Sequence, residues 1–161
     1  MNSEKIGEIV EPPDRNLARR FVVVQFVILI PLVLISGEMG PQIRPFSIFG
    51  LICIGLGLAG YLFSAGNLGR TLTVMPIPKT DGKLCTSGFY RFVRHPIYSF
   101  ILLFCLGLSL QAGSIFKYVL TFLLAIVFYY KSKFEERHLS QKYPEYEAYS
   151  HLVPRFIPFI K

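Results

Sequence analysis

The sequence predicts an all-α, multi-pass membrane protein with about four transmembrane helices. Three observations carry that reading. The chain has 161 residues, of which 52% are hydrophobic and 15% aromatic, with a mean hydropathy of +0.47. Only 17% are charged, against about 25% in a soluble domain. The apolar residues also come in long runs separated by basic linkers, which is how a chain dissolved in lipid is written.

The first run is Phe21 to Ser36, broken by Gln25 and Pro31. A crossing needs roughly 17–25 residues at about 1.5 Å each. This run reaches that length if Leu17 and Ala18 join it while Arg19 and Arg20 snorkel outward. Pro31 should kink it, which membrane helices tolerate. A turn rich in Gly and Pro, Gly37 to Pro45, leads to the second run, Phe46 to Gly66. Gly50, Gly55, Gly57 and Gly60 in that run suit close approach by another helix. Residues 67–95 form a long polar connection with hydrophobic residues every few positions, so it is expected to be ordered and functional. The third run, Ile97 to Leu110, and the fourth, Ile115 to Tyr130, are joined by a tight turn at Gln111 to Ser114. They are expected to form an antiparallel hairpin. The fourth helix should continue into water through Lys131 to Leu139, since no breaker appears before Pro144.

The chain thus divides into a polar N-terminal segment (1–20), two N-terminal helices (21–66) and a core of loop, hairpin and C-terminal cap (67–161). The N-terminal segment does not read as a cleavable signal, because no small-residue cleavage site follows the first run. With both termini and the long loop on one side, every Lys and Arg except Arg44 and Lys117 falls on that side. The positive-inside rule makes that side cytosolic.

The net charge of +7 raises the question of nucleic acid. The charges flank the apolar runs and no nucleic-acid fold motif is present, so membrane topology accounts for them. Of the three cysteines, Cys53 and Cys105 lie inside apolar runs, and the odd count gives no disulfide framework. One Glu-x-x-His pair, Glu135 and His138, falls short of a di-iron carboxylate set. No CxxC or Cys/His pair points to a structural zinc, so no metal is expected. No Gly-rich nucleotide fingerprint, P-loop or Gly-x-Ser-x-Gly elbow occurs.

Two polar clusters remain. In Gly88-Phe89-Tyr90-Arg91-Phe92-Val93-Arg94-His95-Pro96-Ile97-Tyr98, Pro96 is well placed as the first residue of a helix. A helix N-terminus offers unpaired N–H groups to a polar or anionic ligand. Arg and Tyr at a membrane boundary are equally at home as interfacial anchors, so spacing alone leaves both readings open. The second cluster is Glu135-Glu136, about a turn past the fourth apolar run. Adjacent carboxylates raise each other's pKa, and a cationic partner relieves them. The competing reading is a solvated surface paired with Lys131 or Lys133.

Taken together, Leu84 to Tyr98 resembles the cofactor motif of the isoprenylcysteine carboxyl methyltransferase family. Glu135-Glu136-Arg137-His138-Leu139, Tyr143 to Tyr149 and Val153 to Pro158 are similar to that family's closing motif. The likeness spans roughly Leu68 to Lys161. It implies a cytosolic pocket for S-adenosylmethionine formed by the long loop and the C-terminal segment. Tyr90, His95, Pro96, Ile97, Tyr98 and Glu135 would line that pocket. Gly82, Lys83, Leu84 and Cys85 would join them from the loop, together with Met75, and Glu136 is the adjacent family acid. Arg94 and Lys131 would face the methyl acceptor and act in catalysis. The expected partners are the bilayer and a lipophilic acceptor, with a prenylcysteine-type carboxylate foremost. A small thiol, a phospholipid amine or a non-catalytic scaffold role are the alternatives. The sequence departs from the family pattern at Phe89, where Pro is usual, and at Phe100, where a small residue is usual. Phe100 is therefore expected to narrow the acceptor's passage.

Overall fold

In the computed structural model, residues 14–35, 44–69, 72–78 and 82–160 are described. The described residues form five α-helices and no strand: α1 (Arg15–Leu34), α2 (Arg44–Leu68), α3 (Pro96–Ala112), α4 (Ile115–Lys142) and α5 (Tyr146–Leu152). A 3-10 turn, Gly88–Arg91, precedes α3.

α1 starts six residues before the first apolar run because Asp14 caps it. Its carboxylate accepts from the backbone N–H groups of Asn16 and Leu17, both at 3.0 Å. Two otherwise orphaned helix donors are thereby satisfied, and Arg15–Arg20 belong to the helix rather than to a separate polar segment. Pro31 falls in the last turn, and the helix ends at Leu34. The turn expected at residues 37–45 lies mostly outside the described residues. Pro96 opens α3 as its position before the apolar run predicted, and Gly113 closes it in the left-handed conformation at φ 57°. α4 runs on to Lys142 and stops before Pro144.

α1, α2 and α4 are long and apolar enough to cross a membrane. At 17 residues, α3 spans about 25 Å, the lower limit for a crossing. Large apolar side chains such as Val27, Ile30, Ile48, Leu51 and Phe122 face outward, as lipid permits. The interior is small: Leu32, Cys105, Leu124 and Phe128 are fully buried, with Ile28, Ile101 and Leu120 packed around them. Several polar side chains between the helices pair with one another, as hydrocarbon favours. Ser109 donates to the Cys105 carbonyl at 2.9 Å and meets Thr121 at 3.0 Å. Ser47 donates to Gln111 Oε1, and Gln111 Nε2 returns a bond to the Ser47 carbonyl. These pairs tie α3 to α4 and the start of α2 to the end of α3, so neighbouring helices run antiparallel.

α2 and α3 make the most extensive contact, and small residues permit it. A Cβ on Gly57 would lie 2.6 Å from the backbone nitrogen of Phe104, and one on Gly107 would lie 2.7 Å from the carbonyl oxygen of Gly50. Gly55, by contrast, has nothing within 4 Å of such an atom. Gly57→Ala is therefore expected to cost about 1–3 kcal/mol by overpacking, read as a lower thermal midpoint in detergent. Gly55→Ala should leave the midpoint at its wild-type value or higher, since Ala is the better helix former.

Candidate active site

The described part of the loop, the start of α3, the end of α4 and the C-terminal residues meet at one end of the bundle. The C-terminal segment holds the Arg-His-Pro step from behind. Arg94 N–H donates to the Pro154 carbonyl at 2.8 Å, His95 N–H to the Arg155 carbonyl at 3.0 Å, and Ser99 Oγ to the Phe156 carbonyl at 2.7 Å. The amides of Arg94 and His95 are thus taken by protein carbonyls.

Side chains define the site instead. His95 sits between the two acids of α4. Its Nε2 lies 3.0 Å from Glu136 Oε1 and its Nδ1 3.7 Å from Glu135 Oε2. The ring stacks on Tyr98, with centroids 5.3 Å apart and planes 3° from parallel. Tyr98 stacks in turn on Phe128 at 4.6 Å and donates its hydroxyl to Glu135 Oε2 at 2.9 Å. The residues 37 positions apart that the sequence singled out are therefore in direct contact.

The two adjacent acids have different work. Successive helical residues point about 100° apart. Glu136 turns toward the protein and receives Arg155 in a two-pronged contact, Nε at 2.9 Å and Nη2 at 2.6 Å. It also receives His95, and Arg94 Nε stands 3.6 Å away. The bond to Glu136 holds the Arg155 guanidinium above its ordinary range. Glu135 turns toward a cavity of about 410 Å³, a size typical of small-molecule sites.

Most of the expected residues stand on the wall of that cavity. Gly82, Lys83, Leu84 and Cys85 line it from the loop, and Tyr90 from the 3-10 turn. Arg94, His95, Ile97 and Tyr98 line it from the start of α3, and Lys131 and Glu135 from α4. Met75, Pro96 and Glu136 are not on the wall; the loop contributes Leu72, Thr73 and Val74 there instead. Pro96 is fully buried behind the site, where it starts the helix. Phe100 is also absent from the wall, which corrects the expectation that it narrows the passage. Its ring turns toward α2, into the space that a side chain on Gly60 would fill, and packs edge-on against Phe89 at 4.8 Å. The two departures from the family pattern are thus partners in one contact, completed by Phe63 at 5.3 Å from Phe89.

Several residues that the sequence placed in a motif or a run, without a role, also build the site. Tyr143 and Tyr149 donate their hydroxyls to the carbonyls of Gly82 and Tyr90, and so fasten the loop to the C-terminal cap. Gly88 supports the same arrangement with φ 59°, and a side chain there would strike Asn67. Tyr146 is 2% exposed, lines the cavity, and has no hydrogen-bond partner for its hydroxyl among the described residues. Arg94 Nε is likewise buried without a hydrogen bond. Burial, reinforced by nearby negative charge, raises the phenols of Tyr90, Tyr146 and Tyr149 well above their ordinary value. All three therefore keep their protons at neutral pH. From α1, Gln25 reaches the wall and accepts a bond from Lys131 Nζ at 2.6 Å.

This arrangement can hold a polar molecule that carries both signs of charge. Glu135 presents a carboxylate, while Arg94, Lys131 and the Tyr146 hydroxyl present donors. Buried donors left unpaired are costly, so Arg94 and Tyr146 fit a ligand that completes them.

A family model described as phospholipid methyltransferase matches residues 46–146. The chain belongs to this family of membrane methyltransferases. Among individual relatives, it is 31% identical over 109 residues to the cobalt-zinc-cadmium resistance protein CzcN of Cupriavidus metallidurans, covering 66% of this chain and 50% of that protein. It is 30% identical over 128 residues to probable protein-S-isoprenylcysteine O-methyltransferases of the indica and japonica subspecies of Oryza sativa, covering 75% of this chain and 67% of each. The chain therefore spans half the length of the first relative and two thirds of the others. These relatives support the resemblance read from residues 84–98 and 135–158. Among the described residues, no group of three or more His, Cys, Asp or Glu is placed to hold a metal ion.

Proposed function

We propose that this protein transfers a methyl group from S-adenosylmethionine to a lipophilic acceptor at the cytosolic face of the membrane, with both termini cytosolic. The observation that carries the reading is the junction of Tyr98, His95 and Glu135 on the wall of one cavity. Bound there, S-adenosylmethionine would supply a methyl group already activated on its sulfonium, with S-adenosylhomocysteine as the leaving group. Glu135 balances the positive charge, and Tyr98 fixes the carboxylate's orientation. Arg94 and the Tyr146 hydroxyl hold a carboxylate, and the tyrosine-fastened loop over residues 82–85 excludes water. Positioning and electrostatics supply most of such a reaction.

Of the possible acceptors, a carboxylate of the prenylcysteine type fits best. Its oxygen is already ionised at neutral pH, so no general base is required. The Lys131 ammonium, 1% exposed, stands where the polar part of the cavity gives way to Phe26, Leu29 and Val33 of α1. A buried cation there attracts an anionic head and repels a protonated amine. A phospholipid amine is the second reading, which the family model's description as phospholipid methyltransferase favours. A thiol acceptor would profit from the same positive field.

Membranes containing the protein, incubated with donor carrying a labelled methyl, test the choice. With lipophilic carboxylates, thiols and amines of matched chain length, label is expected in a base-labile ester of the carboxylate. Label in the amine alone would replace this reading with the second. No transfer to any acceptor, together with no donor binding, would favour a non-catalytic scaffold.

A further inference from the structure

α1 lies outside the family match at residues 46–146. Gln25 is the one polar side chain between Phe21 and Ile35 in an otherwise apolar helix. A polar residue within a membrane-spanning helix is costly and marks function more often than packing. Here it is 6% exposed and stands on the cavity wall.

Its partner is Lys131. The ammonium donates to Gln25 Oε1 at 2.6 Å and lies 5.3 Å from the centroid of the Tyr98 ring. An ammonium has three donors and a glutamine amide two. Among the described residues, this bond is the only hydrogen bond either side chain makes. Two ammonium hydrogens and the Gln25 NH2 therefore remain for a ligand, side by side and next to Tyr98, itself bound to Glu135. If the pair served packing alone, two apolar side chains would do it without burying a cation whose one hydrogen bond goes to a neutral amide, with the Glu135 carboxylate a turn away on α4.

We propose that Gln25 and Lys131 together form the subsite that receives the acceptor's anionic head, and that Gln25 is a specificity-determining residue. Lys131 supplies the charge. Gln25 holds the ammonium at the cavity wall and adds a neutral donor beside it, which suits the two oxygens of a carboxylate. The apolar side chains that follow on the same helix, Phe26, Leu29 and Val33, continue the wall away from this pair and suit the acceptor's tail. Acceptor choice is thereby assigned to α1, separately from the family-matched residues that surround the donor. The inference rests on the methyltransferase reading above.

The test uses the full chain in detergent with two probes of equal chain length: an N-acetylated S-prenylcysteine and a lipophilic primary amine. Donor affinity is measured by calorimetry for wild type, Gln25→Leu and Gln25→Glu. With Gln25→Leu, KM for the carboxylate probe should rise about 10-fold, as expected for one lost bond to a charged group, while donor affinity stays within twofold. With Gln25→Glu, the new carboxylate pairs with Lys131. The carboxylate-to-amine turnover ratio should then fall on the order of 100-fold. Wild-type KM and turnover ratio in both variants would overturn the inference. Loss of donor affinity in both variants, in step with acceptor turnover, would also overturn it by making Gln25 structural. Absence of donor binding in the wild type would instead overturn the reading beneath it.

Discussion

Glu135→Gln should abolish detectable binding of S-adenosylmethionine in calorimetry while the thermal midpoint stays near wild type. Glu135 is the carboxylate that faces the cavity, a quarter exposed, and its bond from Tyr98 is one that a glutamine can still accept. What the substitution removes is charge. Truncating one side of a desolvated charge pair costs about 2–5 kcal/mol, and each 1.4 kcal/mol is about a factor of ten. An affinity loss on the order of 100-fold follows. His95→Ala should lose binding as well, but by a different route, because its ring supports Tyr98 by stacking and touches both acids. His95→Ala is thus expected to lower the thermal midpoint along with the affinity. Full donor affinity in Glu135→Gln would remove this residue from the site.

The neighbouring substitution should behave in the opposite way. Glu136→Ala is expected to destabilise the fold by about 3–5 kcal/mol, the cost of leaving buried cations without their anion. The carboxylate it deletes receives Arg155 through two nitrogens, His95 through a third, and stands near Arg94. Those contacts join α4 to the C-terminal segment that in turn holds the amides of Arg94 and His95. For a chain of this size, a loss of that magnitude lowers the midpoint by about 6–20 °C. Differential scanning in detergent would show it. A midpoint within 2 °C of wild type would mean that Glu136 does not hold the cap in place.

These two acids also mark the limit of what the sequence could reveal. Their adjacency pointed to a cationic partner, but nothing in a linear pattern says which carboxylate faces the ligand. That depends on helix rotation, and the 100° step sends Glu136 to Arg155, a residue whose position is set only by tertiary folding. The helices were more legible. Long apolar runs and Pro96 before the third located α3, which runs two residues into the expected turn, to Ala112, and the lack of a breaker before Pro144 carried α4 through Leu139, three residues short of its end at Lys142. The earlier start of α1 at Arg15 followed from the Asp14 cap, whose signal preceded the apolar run and was read as part of a polar segment. Phe100 was misplaced because its direction depends on the absence of a side chain at Gly60, on another helix. Gln25 carried a usable signal, a lone amide in an apolar helix. Only the contact with Lys131, 106 residues away, gave it meaning.

The central claim is that the loop before α3 and the far end of α4 close on one donor molecule, and photolabelling tests it directly. A photoactivatable analogue of S-adenosylmethionine is bound to the full chain in detergent, irradiated, and the labelled peptides are mapped by mass spectrometry. The account predicts label in both stretches, residues 82–98 and residues 131–149, with both signals suppressed by excess unlabelled donor. Label confined to one stretch, or indifferent to competition, would contradict it.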